Sequence, residues 1–229
     1  MDIFYEGIIL KVSYFREDDR IIKIFTNTGI ITVIGKSIKK GKRANLIDIG
    51  NYIRFNIVKG KNLNILTSIN LIDSFYNIKG KNPFYMFYIC EVLLKIQRED
   101  QDETNIFNMT LYVLSKIHEN FKLSLIFFNL HILKMEGLLV DFKYCFVCKK
   151  ELVGDLSFSK NGISHSICYH LSPISLGVAS LLGKISKDKT INGVFNQIDV
   201  DNAFIISLVL LENFLEYKIK SKEYILKNL

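Results

Sequence analysis

The sequence predicts an α+β protein in which a small five-stranded β-barrel precedes an α-helical bundle with a zinc-ribbon-like insertion. Three observations lead to this fold class. Five short β-rich runs fill the first 67 residues, helical periodicity begins after Asp73, and a group of Cys and His residues interrupts the helical part. We place the barrel at residues 1–80, the helical domain at 81–229 and the insertion at about 141–170.

The spacing of strands and turns predicts the barrel. The β-rich runs cover residues 4–12, 21–26, 30–34, 52–58 and 63–67. Gly29 supplies the positive φ of a tight hairpin between the second and third runs, and Lys59–Asn62 separates the last two. A sandwich usually needs about seven strands. Five short strands in so little chain therefore favour an OB-fold-like barrel.

Helix signals dominate the remaining chain. Asn82 and Pro83 predict an N-cap and a first helical position, and the pattern continues to residue 94. Further helices are expected at about 104–120, at 124–139 with an end near Gly137, and at 201–217. Ser172 and Pro173 predict the cap and first turn of one more helix.

Positive charge is concentrated in the first third of the chain. Residues 1–80 hold 13 Lys and Arg against 7 Asp and Glu, which is +6 of the total of +7. A glycine-containing loop after the third strand carries five of these cations, and its charge suits neutralisation of DNA phosphates. The candidate DNA-binding residues are Lys36, Lys39, Lys40, Lys42 and Arg43. The alternative interpretation is a solvated loop that only aids solubility.

No export signal or membrane segment is expected. Acidic Asp2 and Glu6 stand where a secretory signal needs a basic region. The longest apolar stretch, residues 204–211, is broken by Ser207 and is far shorter than a membrane helix. We therefore expect a soluble cytoplasmic protein.

The insertion has the ligand spacing of a zinc site. Cys145 and Cys148 form one Cys-x2-Cys pair, and His165 and Cys168 repeat the spacing downstream. His170 is the competing fourth ligand. Four protein ligands would close the tetrahedron around Zn²⁺, so the metal would be structural rather than catalytic. The alternative is reduced cysteines with unrelated histidines.

Other chemistry-bearing residues fall into no recognised catalytic pattern. Cys90 lies on an apolar helix face, which indicates core packing. The sequence has neither a Gly-x-Ser-x-Gly elbow nor a His-Glu-x-x-His helix, so no catalytic residues are assigned and we expect a protein that is not an enzyme.

These residues together resemble the RecO family of bacterial recombination mediators. The resemblance is carried by residues 14–29, by the basic loop from Lys36 to Lys40, and by Phe158 and Gly162 ahead of the second ligand pair. Three positions depart from the family pattern: Ser37 replaces a Gly, residues 43–45 replace a Ser-Arg, and His165 replaces a Cys. Three cysteines and one histidine remain an ordinary zinc ligand set.

The resemblance implies a non-enzymatic DNA repair and recombination protein located at the nucleoid. Such a protein binds single- and double-stranded DNA and anneals complementary strands. With RecR, it helps load RecA onto DNA coated by single-strand-binding protein, whose acidic C-terminal tail docks on the helical domain. Aromatic residues of a basic barrel can stack on bases, and Tyr14, Phe15 and Tyr52 are the candidates.

Two alternatives belong to other functional classes. A zinc-ribbon OB-fold module could bind RNA or another partner, and it would prefer structured RNA over single-stranded DNA. A zinc-dependent nuclease would need an open coordination position, which a site of four protein ligands lacks.

Overall fold

The computed structural model describes residues 4–37, 44–61, 63–75, 84–96 and 103–227. The chain divides into two compact units. The first unit contains residues 1–111 and 219–228, and the second contains residues 112–218. None of the helices in the described ranges has the length and apolar character needed to cross a membrane.

The first unit contains a closed five-stranded barrel, which confirms the predicted fold class. Neighbouring strands follow the order β1, β2, β3, β5 and β4, and β3 and β5 are the parallel pair that closes the barrel. The strands are β1 (Tyr5–Tyr14), β2 (Arg20–Thr26), β3 (Gly29–Gly35), β4 (Asn51–Val58) and β5 (Asn64–Ser74).

Inward-facing apolar residues fill the barrel. Alternation along β2 places Ile22 and Ile24 inside, since successive side chains of a strand point to opposite faces. Phe55 from β4 is completely buried and stacks on Tyr5 with a centroid distance of 5.7 Å. Gly29 has the predicted positive φ, 97°, in the tight hairpin that joins β2 to β3.

Six helices complete the described chain. They are α1 (Phe84–Lys95), α2 (Thr104–Lys116), α3 (Phe121–Met135), α4 (Leu176–Lys187), α5 (Gln197–Leu215) and α6 (Lys222–Leu226). The predicted cap at Asn82 and Pro83 lies outside the described residues. In the second unit α3 packs against both α4 and α5. Every residue of α3 from Lys122 to Leu133 is buried, so this helix forms the centre of that unit.

Specific hydrogen bonds begin and end α3. The Asn120 side chain accepts a hydrogen bond from the backbone N–H of Leu123 at 3.1 Å, as an N-cap does. At the other end Gly137 has a φ of 71°, and the Leu138 N–H donates to the Leu133 carbonyl at 2.8 Å. This pattern is a Schellman motif, and it ends the helix near Gly137 as expected.

Within the first unit, Glu91 of α1 holds the start of the C-terminal segment. Its carboxylate accepts hydrogen bonds from the backbone N–H groups of Lys220 and Ser221, each at 2.9 Å, and from the Ser221 hydroxyl at 2.6 Å. Phe84 of α1 stacks on Tyr224 of α6 at a centroid distance of 4.5 Å. Residues from distant parts of the chain are thereby joined in one unit.

A three-stranded sheet begins in the predicted insertion at 141–170 and extends just beyond it. Its strands are β6 (Leu156–Ser159), β7 (Gly162–His165) and β8 (Ser172–Ile174), in the order β7, β6 and β8. The prediction of a helix start at Ser172 and Pro173 was wrong, because both residues belong to β8. Proline fits there because β8 is an edge strand. The true cap of α4 is Ser175, whose hydroxyl accepts the Val178 N–H at 3.1 Å.

Candidate metal centre and nucleic-acid interface

A tight turn presents Cys145 and Cys148. The turn is flanked by an isolated antiparallel bridge between Tyr144 and Glu151. The Cys145 N–H donates to the Lys150 carbonyl at 2.8 Å, and the Lys149 N–H donates back to the Cys145 carbonyl at 2.9 Å. Lys149 has a left-handed φ of 62°. These bonds direct both thiols of the Cys-x2-Cys pair to the same side of the turn.

The end of β7 supplies the second pair. The strand ends at His165, and the chain turns so that the Cys168 N–H donates to the His165 carbonyl at 2.9 Å. The two turns are connected by a hydrogen bond of 3.0 Å from the Phe146 N–H to the Ile163 carbonyl. Backbone hydrogen bonding therefore brings together four residues that the sequence separates.

The four potential ligand atoms are close enough together to hold one metal ion. The ligand atoms of Cys145, Cys148, His165 and Cys168 all lie within 4.8 Å of one another. His165 Nδ1 is 3.4 Å from the Cys148 Sγ and 3.9 Å from the Cys168 Sγ. A zinc ion with Zn–S of about 2.3 Å and Zn–N of about 2.0 Å separates its ligands by about 3.5 to 3.8 Å. The donor set therefore fits a metal ion of this kind.

The orientation of His165 also fits a metal ligand. Its Nε2 lies 2.9 Å from the Glu151 carbonyl oxygen, which can only accept a hydrogen bond. Nε2 therefore carries the proton, and the lone pair of Nδ1 faces the thiols. Metal-binding histidines commonly have their second nitrogen held in this way. His170, the alternative fourth ligand, is exposed and is not one of the four clustered residues.

Local electrostatics favour a thiolate at Cys145. Desolvation raises the pKa of this thiol, but hydrogen bonds from the backbone N–H groups of Cys148, His165 and Val147 outweigh it and lower the pKa to about 6. Burial and the neighbouring Cys148 and Cys145 raise the pKa of Cys168 to about 11. Three thiols this close ionise together only when a cation compensates their charge.

Cys90 differs from the clustered cysteines in its surroundings. It is buried in α1, where desolvation raises the pKa of its thiol to about 12. Its Sγ lies 4.0 Å from the Ile9 carbonyl oxygen. A neutral thiol packed against a strand is a core residue, as the sequence indicated.

The predicted basic loop lies partly within the described chain. Lys36 follows the end of β3 and is exposed. Lys39, Lys40, Lys42 and Arg43 lie outside the described residues. The loop begins beside the β1–β2 turn, because the Ser37 N–H donates to the Asp19 carboxylate at 3.0 Å. This contact fixes the start of the loop against Asp19 of that turn.

The three aromatic stacking candidates have different surroundings. Tyr14 is 83% exposed and Phe15 is 46% exposed. Tyr52 instead donates its hydroxyl to Glu6 at 2.7 Å and stacks on Phe75. Burial, followed by the hydrogen bond to Glu6, raises the pKa of Tyr52 to about 12. Tyr52 is thus engaged inside its unit, whereas Tyr14 and Phe15 are accessible.

Sequence reasoning missed the arginines that accompany these aromatic residues. The Arg20 guanidinium carbon lies 4.1 Å from the centroid of the Tyr14 ring, and that of Arg16 lies 5.2 Å from the centroid of Phe15. Tyr14 and Arg20 are cross-strand partners in the β1–β2 register. Only the predicted hairpin could have indicated this pair, because Tyr14 and Arg20 become neighbours when the two strands pair.

The structure thus belongs to the class of barrel proteins with a helical part. Between its helices it carries a cluster of three cysteines and one histidine that could hold a metal ion. Comparison with known proteins agrees with this class. The family model described as "Recombination protein O N terminal" matches residues 1–75, and "Recombination protein O C terminal" matches residues 80–223. The chain therefore belongs to the RecO family of DNA repair proteins, as its sequence motifs predicted.

Individual relatives are distant but cover most of the chain. The protein is 24% identical over 200 residues to the DNA repair protein RecO of Dehalococcoides mccartyi, covering 82% of this chain and 79% of the relative. It is 28% identical over 173 residues to the DNA repair protein RecO of Listeria monocytogenes, covering 72% and 68%. Clostridium novyi has a further relative, 26% identical over 158 residues and covering 64% and 60%.

Proposed function

We propose that this protein is a non-enzymatic mediator of DNA repair and homologous recombination. It binds single- and double-stranded DNA, anneals complementary strands, and acts with RecR to load RecA onto DNA coated by single-strand-binding protein. Its site of action is the cytoplasm, at the nucleoid. Residues 1–80 are the DNA-binding domain, and Lys36, Lys39, Lys40, Lys42 and Arg43 contact phosphates. Residues 81–229 are the helical domain, which receives the acidic tail of single-strand-binding protein.

One observation carries the proposal: the barrel region of this chain holds nearly all of its net positive charge. Residues 1–80 account for +6 of the +7, and exposed Lys36 marks the start of the densest run of cations. Cations that neutralise phosphates give affinity without sequence choice, because phosphates are the same at every nucleotide. This binding mode suits a protein that acts on strands of any sequence.

The proposed metal is a structural zinc ion held by Cys145, Cys148, His165 and Cys168. The donor set supports zinc, which prefers sulfur and nitrogen ligands in a tetrahedron. Four protein ligands leave no position for a reactive water, so this set supports a stabilising role rather than hydrolysis. When bound, the ion would connect the Cys145–Cys148 turn to the end of β7.

DNA binding across a salt series tests the proposal. We expect labelled single-stranded DNA to bind in fluorescence anisotropy with an affinity that falls steeply as salt rises. Complementary strands should anneal without added nucleotide. The Lys39→Ala, Lys40→Ala double variant should bind more weakly, and its slope of log affinity against log salt should be smaller by about 1 to 2.

A charge-matched variant serves as the control. Lys187→Ala, Lys189→Ala also removes two exposed lysines, but in the second unit. It should retain the affinity of the unmodified protein. The mediator proposal fails if the unmodified protein does not bind single-stranded DNA at low salt, or if it prefers structured RNA. If both double variants lost the same affinity for single-stranded DNA, the assignment of the basic loop to phosphate binding would be wrong.

A further inference from the structure

The three cysteines of the cluster around His165 differ in their access to solvent. Cys148 is exposed and Cys168 is half-buried, whereas Cys145 is completely buried. All three carry free thiols in the structure. Dissolved oxidants react first with the sulfur atoms that they can reach, so Cys148 and Cys168 are the thiols of this cluster that are open to oxidation.

The Sγ atoms of these two accessible cysteines lie close to each other. The ligand atoms of the cluster are all within 4.8 Å of one another, and both sulfurs face His165 Nδ1, that of Cys148 at 3.4 Å and that of Cys168 at 3.9 Å. A disulfide brings two Sγ atoms to about 2.05 Å, and changes of side-chain rotamer shorten a separation of this size. The fold therefore places the two thiols in position to react with each other.

The sulfur of Cys145 is held by the backbone instead. It accepts hydrogen bonds from the N–H groups of Val147 and Cys148 in its own turn and of His165 at the end of β7. A disulfide between Cys145 and either of the other cysteines would require this sulfur to leave those donors, which costs free energy. Together with its burial, these contacts make Cys145 the least suited of the three thiols to oxidation.

We propose that Cys148 and Cys168 form a redox-reactive pair that hydrogen peroxide oxidises to a disulfide. In the first step the Cys148 sulfur attacks one peroxide oxygen, the O–O bond breaks, and a sulfenic acid and one water form. In the second step the Cys168 sulfur attacks the sulfenic sulfur. The S–S bond forms, and the sulfenic oxygen leaves as a second water with the proton of the Cys168 thiol. Peroxide accepts the two electrons that the thiols lose.

The same reaction would empty the proposed zinc site. A disulfide no longer offers thiolate ligands, and the two residues that remain, Cys145 and His165, are too few for a structural zinc ion. This consequence rests on the proposed zinc site, whereas formation of the disulfide does not require a metal. The new bond would join the Cys145–Cys148 turn to the segment after β7, so oxidation would replace the metal by a covalent connection between the same two turns.

Peptide mapping after treatment with hydrogen peroxide tests the pair directly. Trypsin leaves Cys145 and Cys148 in residues 144–149 and Cys168 in residues 161–184, and chymotrypsin then cleaves after Phe146 and separates Cys145 from Cys148. Mass spectrometry should detect the Cys148 and Cys168 peptides joined, with a mass lower by about 2 Da than the sum of the two reduced peptides. Cys90, buried in α1, is the internal control and should remain a free thiol.

Two matched variants separate the reactive pair from the metal ligands. Cys145→Ser and Cys148→Ser each remove one thiol of the same turn and one proposed zinc ligand. After peroxide treatment Cys145→Ser should still give the joined peptides, whereas Cys148→Ser should give none.

Zinc release and reversibility provide a second measurement on the unmodified protein. A chromogenic chelator should detect about one equivalent of zinc per chain as the joined peptides form. Dithiothreitol with added Zn²⁺ should restore the thiols and the metal, because a disulfide is reducible and a sulfinic acid is not.

Each way in which the inference can fail gives a different result. A disulfide confined to residues 144–149 would overturn the pair in favour of Cys145 and Cys148. Oxidation of Cys90 at the same rate, or a disulfide between two chains on a non-reducing gel, would also overturn it. A zinc-loaded protein that keeps its thiols under peroxide would refute the redox pair and retain the metal site. A protein purified without zinc that still gives the joined peptides would refute the metal site and retain the pair.

Discussion

The imidazole of His165 is held through both of its nitrogens. Nε2 donates to the Glu151 carbonyl, and Nδ1 faces Cys148 and Cys168. The Cys-x2-Cys and His-x2-Cys spacings were enough to predict which four residues could cluster, because a two-residue gap lets both side chains of a pair point at one ion. The spacing could not predict the hydrogen bond from His165 to the Glu151 carbonyl. This acceptor belongs to the backbone, and its position is known only from the fold.

Substitution of each histidine in turn tests the assignment. We expect His165→Ala to lose bound zinc, and His170→Ala to retain about one equivalent, because a structural site needs four protein ligands. His165→Cys should also retain the metal, since it provides a set of four cysteines. Zinc content per chain, measured by elemental analysis, gives the result. Retention of a full equivalent by His165→Ala would contradict the assignment.

Sequence reasoning at this scale was weakest for the aromatic residues. Tyr14, Phe15 and Tyr52 are all aromatic residues in or next to barrel strands, and the sequence does not show which of them are accessible. Only Tyr52 has its hydroxyl within 2.7 Å of a carboxylate, that of Glu6. The difference depends on cross-strand neighbours, which the linear sequence does not specify until the register is known.

Among the secondary-structure elements, the barrel strands were the most predictable. Alternating apolar residues and turn signals identified all five, because each strand has one face in a core. The extent of β5 was underestimated, since it continues to Ser74 instead of ending near residue 67. Most of its last residues are exposed and several are polar, so they lack the hydrophobic signal that marks a buried strand.

The sheet of the insertion was not predicted at all. Buried Ser157 and Ser159 alternate with apolar residues in β6, and such a short polar run resembles a loop. Hydrogen bonds within the fold explain their burial: Ser157 Oγ contacts Ser166 Oγ at 3.1 Å, and Ser159 Oγ donates to the Gly162 carbonyl at 3.4 Å. Burial of a hydroxyl costs little free energy when the group is hydrogen-bonded in this way. Only the structure, however, identifies the hydrogen-bond partners.

A carboxylate connects β1 to β4 and should make their pairing sensitive to acid. Glu6 and Arg54 are register partners, and Arg54 Nη2 donates to the Glu6 carboxylate at 2.6 Å. The Tyr52 hydrogen bond, followed by that of Arg54, lowers the pKa of Glu6 below its ordinary value of 4.5. Its stabilising contribution is therefore present above the pKa of the unfolded chain and is lost as the pH falls through the lower folded value.

We expect Glu6→Gln to remove part of this acid sensitivity. The pair is partly exposed, so its contribution should be about 0.5 kcal/mol. Hydrogen exchange of the β1 and β4 amides between about pH 6 and about pH 3 measures the effect locally, after correction for intrinsic rates. Glu17→Gln, which changes an exposed acid of the β1–β2 turn, should retain the slope of the unmodified protein. Identical slopes for all three proteins would contradict the prediction.

At the scale of the whole molecule, both compact units have an apolar core, but only the second contains the cluster of cysteines and a histidine. The barrel has a continuous apolar core, with Ile9, Ile53 and Phe55 fully buried. The cluster of Cys145, Cys148, His165 and Cys168 lies in the other unit, in a part of it that consists of short strands and turns. A small module of that kind usually gains its stability from metal binding, because the bound state exists only when the module is folded.

Loss of one ligand should therefore loosen the segment around the cluster selectively. We expect Cys145→Ser to lose zinc and to raise hydrogen exchange in residues 144–170, while exchange in residues 5–35 of the barrel is unchanged. Cys90→Ser is the control: it should retain zinc, and any loosening should fall in its own unit. Exchange measured by mass spectrometry resolves both segments. An unchanged 144–170 segment in a zinc-free Cys145→Ser protein would contradict this dependence.

The sequence could not indicate which distant residues share a unit. Glu91 and Ser221 are 130 positions apart, and neither belongs to a motif. Their contact depends on the path of the entire intervening chain. Local sequence patterns predict strands, helices and ligand pairs. A contact between residues as distant as Glu91 and Ser221 depends instead on tertiary packing.

The Glu91 contact has a consequence for the order in which the protein is made. A ribosome delivers residues 112–218 before residues 219–228, so the second unit is available as a continuous stretch while the barrel unit still lacks its last helix. The carboxylate of Glu91 is therefore without Ser221 through most of synthesis. The unit made first is consequently the last to be completed, and a nascent chain arrested before residue 219 would display α1 without its α6 partner.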